Sequence, residues 1–154
     1  MYAARHMKWW GWGDEEVGFD SCAHPGLWPY AKAVLDVERD DADDPHVPLE
    51  AVRLRDAIRH DGFLADLRRG MRDDQICDSR RERVIHAYGK GFRDLFRMRR
   101  GLAEGAPDLV LYPENEPDVL RALRAAARHD VVVIPFGGGS NIAGCLERSE
   151  SRRM

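Results

Sequence analysis

A glycine-rich loop near the end of the chain holds the residues with the clearest chemical potential. Residues 135–141 read Pro-Phe-Gly-Gly-Gly-Ser-Asn and follow four β-branched residues at 131–134. Glycine adopts backbone conformations closed to other residues, so such a loop can turn several N–H groups toward an anion. Ser140 and Asn141 add short polar groups beside it. The loop predicts a phosphate site, and a plain tight turn is the alternative.

The elements that must position this loop are a strand, a helix and a second strand. Residues 109–112 predict a short strand, and Pro117 suits the first turn of a following helix. Residues 131–134 predict a buried second strand. This βαβ order places the loop at the carboxyl end of a parallel strand, where nucleotides bind in α/β proteins. The apolar face predicted for the helix comprises Val119, Leu120, Leu123, Ala126 and Ala127.

Two common nucleotide-binding motifs are absent from the loop. It lacks the Gly-Lys-Ser/Thr of a Walker A motif and the Gly-x-Gly-x-x-Gly of a dinucleotide-binding fold. The residue pattern therefore predicts an anion site built from backbone N–H groups and does not identify the nucleotide.

The upstream region carries helical patterns and an aromatic segment. Residues 48–58 and 91–99 predict helices, the second with Phe92, Leu95 and Phe96 at helical spacing. Ser79 predicts the cap of a third helix, from Arg80 to Tyr88, with Glu82 at the capping-box position. Residues 7–30 hold all four tryptophans without periodicity, and we expect an irregular segment that buries its rings.

Three sets of polar residues in the upstream region can be interpreted either as chemically functional or as purely structural. His86, Tyr88 and Lys90 predict either a general base with orienting groups or an ordinary helix C-terminus. The acidic run 38–44 indicates a solvated linker rather than a carboxylate metal site. The arginines of 93–100 indicate a solvated face or a surface for phosphates or a partner. No catalytic residue and no metal ligand are predicted.

Composition excludes several classes of function. The chain has 154 residues, a net charge of −3 and interspersed charges, which disfavours nucleic-acid binding. No apolar run is long enough for a transmembrane segment, and the first six residues lack the core of a signal peptide. Three widely spaced cysteines (Cys22, Cys77 and Cys145) indicate reduced thiols. We therefore expect a cytoplasmic protein.

The stretch from Pro113 and Pro117 to the glycine loop resembles the start of the FAD-binding domain of the vanillyl-alcohol oxidase (p-cresol methylhydroxylase, PCMH) type. The resemblance implies that FAD is the cofactor and that backbone N–H groups of the loop wrap its pyrophosphate. Ser140 and Asn141 stand where that family has threonine and serine. The implied cofactor-binding residues are Pro135, Phe136, Gly137, Gly138, Gly139, Ser140 and Asn141.

Upstream motifs narrow this resemblance to one branch of the family. Residues 7–13 (Met-Lys-Trp-Trp-Gly-Trp-Gly), the 80–90 block and Pro107-Asp108-Leu109-Val110 resemble the alkyldihydroxyacetonephosphate synthases. In that branch an acyl chain on dihydroxyacetone phosphate is exchanged for a fatty alcohol, which implies a lipid-like or small-molecule substrate for a full-length relative. Two alternatives remain open: a non-enzymatic helical interaction module, and a flavin reductase of the cell-wall precursor type.

The resemblance also predicts the organisation of the chain. The expected fold class is α/β (α+β): a helical and irregular N-terminal region, then the first βαβ unit of a PCMH-type FAD-binding domain, truncated. The expected parts are an aromatic segment with acidic linker (1–47), a helical region (48–106), the start of the FAD-binding domain (107–147) and a tail outside the family (148–154). We expect a truncated or frameshifted product that lacks the catalytic portion and is inactive alone.

Overall fold

The computed structural model describes residues 6–18, 21–36, 46–144 and 146. The acidic run 38–44, Cys145 and the tail 148–154 lie outside these residues. Within these residues the α-helices are α1 (Leu27–Leu35), α2 (Asp61–Arg68), α3 (Arg80–Ile85), α4 (Phe92–Arg99) and α5 (Glu116–His129), and the strands are β1 (Ile76–Cys77) and β2 (Val110–Leu111). In this part of the chain no helix is long and apolar enough to cross a membrane.

The two strands pair antiparallel and form a small sheet beside the helices. Ile76 pairs with Leu111, and Cys77 pairs with Val110. The mixed α/β class and the strand predicted at 109–112 are confirmed. The second predicted strand is not: residues 131–134 have no regular secondary structure, and Val132, Val133 and Ile134 are 41–47% exposed. A strand needs a hydrogen-bonded neighbour, and no strand among the described residues is hydrogen-bonded to this segment.

The starts of helices α3 and α5 were predicted correctly, because capping residues close in sequence determine them. In α5 the Asn115 side chain accepts a hydrogen bond from the Asp118 N–H, Pro117 lies in the first turn, and Asp130 ends the helix in a left-handed conformation. In α3 the Ser79 hydroxyl accepts from the Glu82 N–H, as predicted. The helix ends at Ile85, three residues before Tyr88.

The helix predicted over residues 48–58 is wrong. These residues form only a short 3-10 turn, Leu49–Ala51, because Val52 and Arg53 leave the helical path and Arg53 bridges to Leu102. The next helix, α2, begins at Asp61. The segment expected to be irregular up to residue 30 contains the start of α1, and only Trp9 of the four tryptophans is fully buried.

Two apolar clusters form the core. The first lies under α3 and α4 and comprises Trp9, Val52, Val84, Ile85, Ala87, Met98, Ala103 and Ala106. The second lies between α2 and α5 and comprises Phe63, Leu67, Met71, Ala122, Ala125 and Ala126. Small alanine side chains let α5 approach α2 closely. The larger Val119, Leu120 and Leu123 of the predicted face are 41–48% exposed instead.

Candidate functional site: the glycine loop

The glycine loop lines an open cavity of about 340 Å³ on the protein surface. The cavity is lined by residues 134–141 and Leu146. Gly137, Gly138 and Ser140 are exposed, whereas Gly139 is buried. The structure therefore brings all seven predicted cofactor-binding residues, Pro135 to Asn141, to one concave surface.

The three glycines have different roles in the shape of the loop. Gly139 has a φ of +70°, and a Cβ added there would lie 2.5 Å from Cζ of Phe136. Asn141 has a φ of 36°, which is also left-handed. A Cβ added at Gly137 or Gly138 would meet no atom within 4 Å. Gly139 is thus required by the fold of the loop, while Gly137 and Gly138 leave space on its outer side.

The loop contains backbone N–H groups that donate to no backbone carbonyl of the described residues. Within the described part of the chain, no backbone carbonyl accepts a hydrogen bond from the N–H groups of residues 137–140. Successive free N–H groups in a concave loop form an anion-binding nest. The arrangement can hold a phosphate or pyrophosphate through the main chain, without a cationic side chain.

A turn at Gly89–Lys90 supports the inner side of the loop. The Lys90 N–H donates a 2.8 Å hydrogen bond to the Ser140 carbonyl. A Cβ added at Gly89 would lie 2.7–2.8 Å from atoms of Ser140 and Asn141. The backbones of the turn and the loop therefore touch, and only glycine fits at position 89. Sequence reasoning missed this support, although the Gly-Lys-Gly spacing at 89–91 was a signal for a close backbone approach.

A buried polar group also lies against Phe136 of the loop. The His86 ring packs against the Phe136 ring with centroids 4.3 Å apart. His86 Nδ1 lies 2.7 Å from the Glu82 carbonyl oxygen. The Tyr112 hydroxyl donates to the Glu82 carboxylate. Burial lowers the pKa of His86, so the neutral imidazole is favoured in the folded protein.

The predicted polar set of His86, Tyr88 and Lys90 does not converge on one point. The Tyr88 hydroxyl accepts from the Gly105 N–H, and the Lys90 ammonium group donates to the Lys8 carbonyl. Each side chain thus has its own structural partner. Among the described residues no group of three or more metal-ligating side chains is present.

Comparisons with known proteins show which proteins the chain is similar to. Residues 107–151 match the family described as FAD binding domain. The chain is 34% identical to the alkyldihydroxyacetonephosphate synthase of Trypanosoma brucei brucei and 29% identical to that of Dictyostelium discoideum, over 99% and 97% of its length. A solved alkyldihydroxyacetonephosphate synthase structure (crystal form P1) superimposes on 97% of the chain with a TM-score of 0.80 and 30% identity.

These relatives are much longer than the present chain. The chain spans 28% of the length of each of the two curated synthases and 33% of the solved structure. The likeness therefore covers one part of the synthase architecture.

Proposed function

We propose that this chain belongs to the FAD-binding family that includes the alkyldihydroxyacetonephosphate synthases, and that its loop 135–141 holds the FAD pyrophosphate. The observation that supports the proposal is the open outer side of the loop. The N–H groups of residues 137–140 are unused within the described chain, and Gly137 and Gly138 leave room for a ligand. FAD supplies redox and electrophilic chemistry when bound, and the loop residues bind and orient it.

The whole protein of which this fold is part is proposed to be an FAD-dependent enzyme of ether-lipid synthesis. Its substrates would be an acyl-dihydroxyacetone phosphate and a fatty alcohol, as the resemblance to the alkyldihydroxyacetonephosphate synthases implies. The 154 residues alone are proposed to be inactive, because no catalytic side chains converge among the described residues. His86, Tyr88 and Lys90 each have a separate structural partner.

Substitution of Gly138 tests the assignment of the loop. The purified chain should bind FAD more tightly than riboflavin, which has the same ring system without the pyrophosphate. Gly138→Ala should reduce this preference by about tenfold or more, because the added methyl group occupies the space next to the phosphate without a clash inside the protein. Flavin fluorescence titration measures both affinities.

Gly18→Ala is the matched control. Gly18 also has no atom within 4 Å of an added Cβ and lies outside the loop, so the variant should keep the preference for FAD. Equal affinity of the wild type for FAD and riboflavin, or an unchanged preference in Gly138→Ala, would contradict the proposal. The same samples should form no product from acyl-dihydroxyacetone phosphate and a fatty alcohol, and product formation would show that the chain suffices for catalysis.

A further inference from the structure

Lys90 connects two parts of the molecule that are distant in sequence. Its main-chain N–H donates to the Ser140 carbonyl of the glycine loop at 2.8 Å. Its ammonium group donates to the Lys8 carbonyl at 2.6 Å and to the Trp9 carbonyl at 3.5 Å. The same residue therefore contacts the loop with its backbone and the N-terminal aromatic segment with its side chain.

The N-terminal segment is a firm anchor for this side chain. Lys8 and Gly13 close a turn through a 3.0 Å backbone hydrogen bond, and Met7 bridges to Asp14. Trp9 is 2% exposed and lies in the first core cluster. Two further cations bind the same stretch, since Arg81 donates to the Met7 carbonyl and Arg99 to the Trp10 carbonyl. Basic side chains thus contact four consecutive carbonyls, 7–10.

The Lys90 ammonium group is buried without a counter-charge. Lys90 is 4% exposed, and no described carboxylate is paired with it. Burial lowers its pKa to about 8. A buried lysine that lacks an acidic partner is costly to the folded state, so an apolar side chain would serve better if the position only filled the core. The hydrogen bonds from the Lys90 ammonium group to the Lys8 and Trp9 carbonyls offset part of this cost and attach the side chain to the N-terminal segment.

We propose that Lys90 is a positioning residue for FAD binding, which links the N-terminal segment to the loop and fixes the carbonyl of Ser140. The inference rests on the proposed function of the loop. With its side chain anchored, the Gly89–Lys90 turn cannot move away from residues 140–141, and the backbone of the glycine loop keeps its conformation. The aromatic N-terminal segment then contributes to flavin binding without contacting the flavin.

Lys90→Met tests this role, because methionine keeps the apolar stem and removes the donor. The preference for FAD over riboflavin should fall by about fivefold, the factor expected from one hydrogen bond. Riboflavin affinity should change little. Arg99→Met is the matched control, since Arg99 also binds a carbonyl of the N-terminal segment, and this variant should keep the wild-type preference.

Hydrogen exchange of the Lys90 amide gives a second readout in the unmodified chain. Saturation with FAD should slow this exchange, because an ordered loop holds the bond from the Lys90 N–H to Ser140, whereas riboflavin should not. The inference is overturned if Lys90→Met keeps the preference, if Arg99→Met loses it equally, or if FAD leaves the exchange unchanged. A wild type that does not prefer FAD would instead overturn the proposed function of the loop.

Discussion

Gly139 and Gly138 are neighbours in sequence, yet the structure restricts only one of them. Gly139 has a positive φ and no room for a Cβ beside Phe136, so the loop itself excludes other residues there. At Gly138 the fold would accept a side chain, and only the proposed pyrophosphate would require glycine. The sequence predicted the pair as one glycine run, because residue type does not distinguish a conformational requirement from space kept for a ligand.

At the same scale, His86 makes stability depend on pH. Burial lowers its pKa in the folded state, with a further lowering by the charge of Lys90, while the Glu82 carbonyl and carboxylate act in the opposite direction. The unfolded chain therefore binds the proton more readily. The contribution of neutral His86 to stability is fully present above its pKa in the unfolded chain, about 6.5. That contribution is lost as the pH falls through the lower pKa of His86 in the folded state.

We expect the urea concentration at the unfolding midpoint of the wild type to decrease when the pH is lowered from about 7 to about 5. The decrease should be smaller in His86→Gln. The pKa of His46 is also lowered, mainly by burial, so His46→Gln shows how much of the remaining fall comes from that residue. An identical pH dependence in wild type and His86→Gln would contradict the assignment to His86.

At the scale of elements, short-range signals were predicted well and pairing was not. Ser79 marks a helix start through a hydrogen bond with Glu82, three positions away, and Pro117 through its fixed φ in the first turn, so the sequence contains the whole signal. Residues 131–134 have the composition of a strand, but a strand also requires a neighbour. In helices α4 and α5 the sequence predicted the helical spacing but not which side chains are buried. In α4, Asp94 and Met98 are buried, whereas Phe92 is 88% exposed.

Residues 132–134 are exposed and should therefore tolerate polar substitution. Val133→Thr should change the free energy of unfolding by no more than about 0.5 kcal/mol, since Val133 is 44% exposed. Leu67→Ala, in the second core cluster and 0% exposed, should cost about 2–5 kcal/mol. Denaturant unfolding measures both. A loss at Val133 as large as that at Leu67 would show that the segment packs against the core.

At the scale of the whole molecule, the open apolar faces form one continuous groove. Val119 and Leu123 of α5, together with residues 131–134, line a cavity of about 1080 Å³. Large exposed apolar surfaces are uncommon on isolated domains. The superimposed synthase has about three times the length of this chain. The cofactor and the family could be predicted from the sequence because the loop motif is local. The apolar groove could not be predicted, because the residues that line it are far apart in sequence.

The most direct test of the central claim is a nuclear magnetic resonance titration of the ¹⁵N-labelled chain. On addition of FAD, the amide signals of Gly137, Gly138 and Gly139 should shift more than those of Gly18 and Gly26, which lie outside the loop. Riboflavin should leave the loop signals in place, because it lacks the pyrophosphate. Equal shifts with both flavins, or FAD-induced shifts that spare residues 137–139, would contradict the assignment of the loop as the pyrophosphate site.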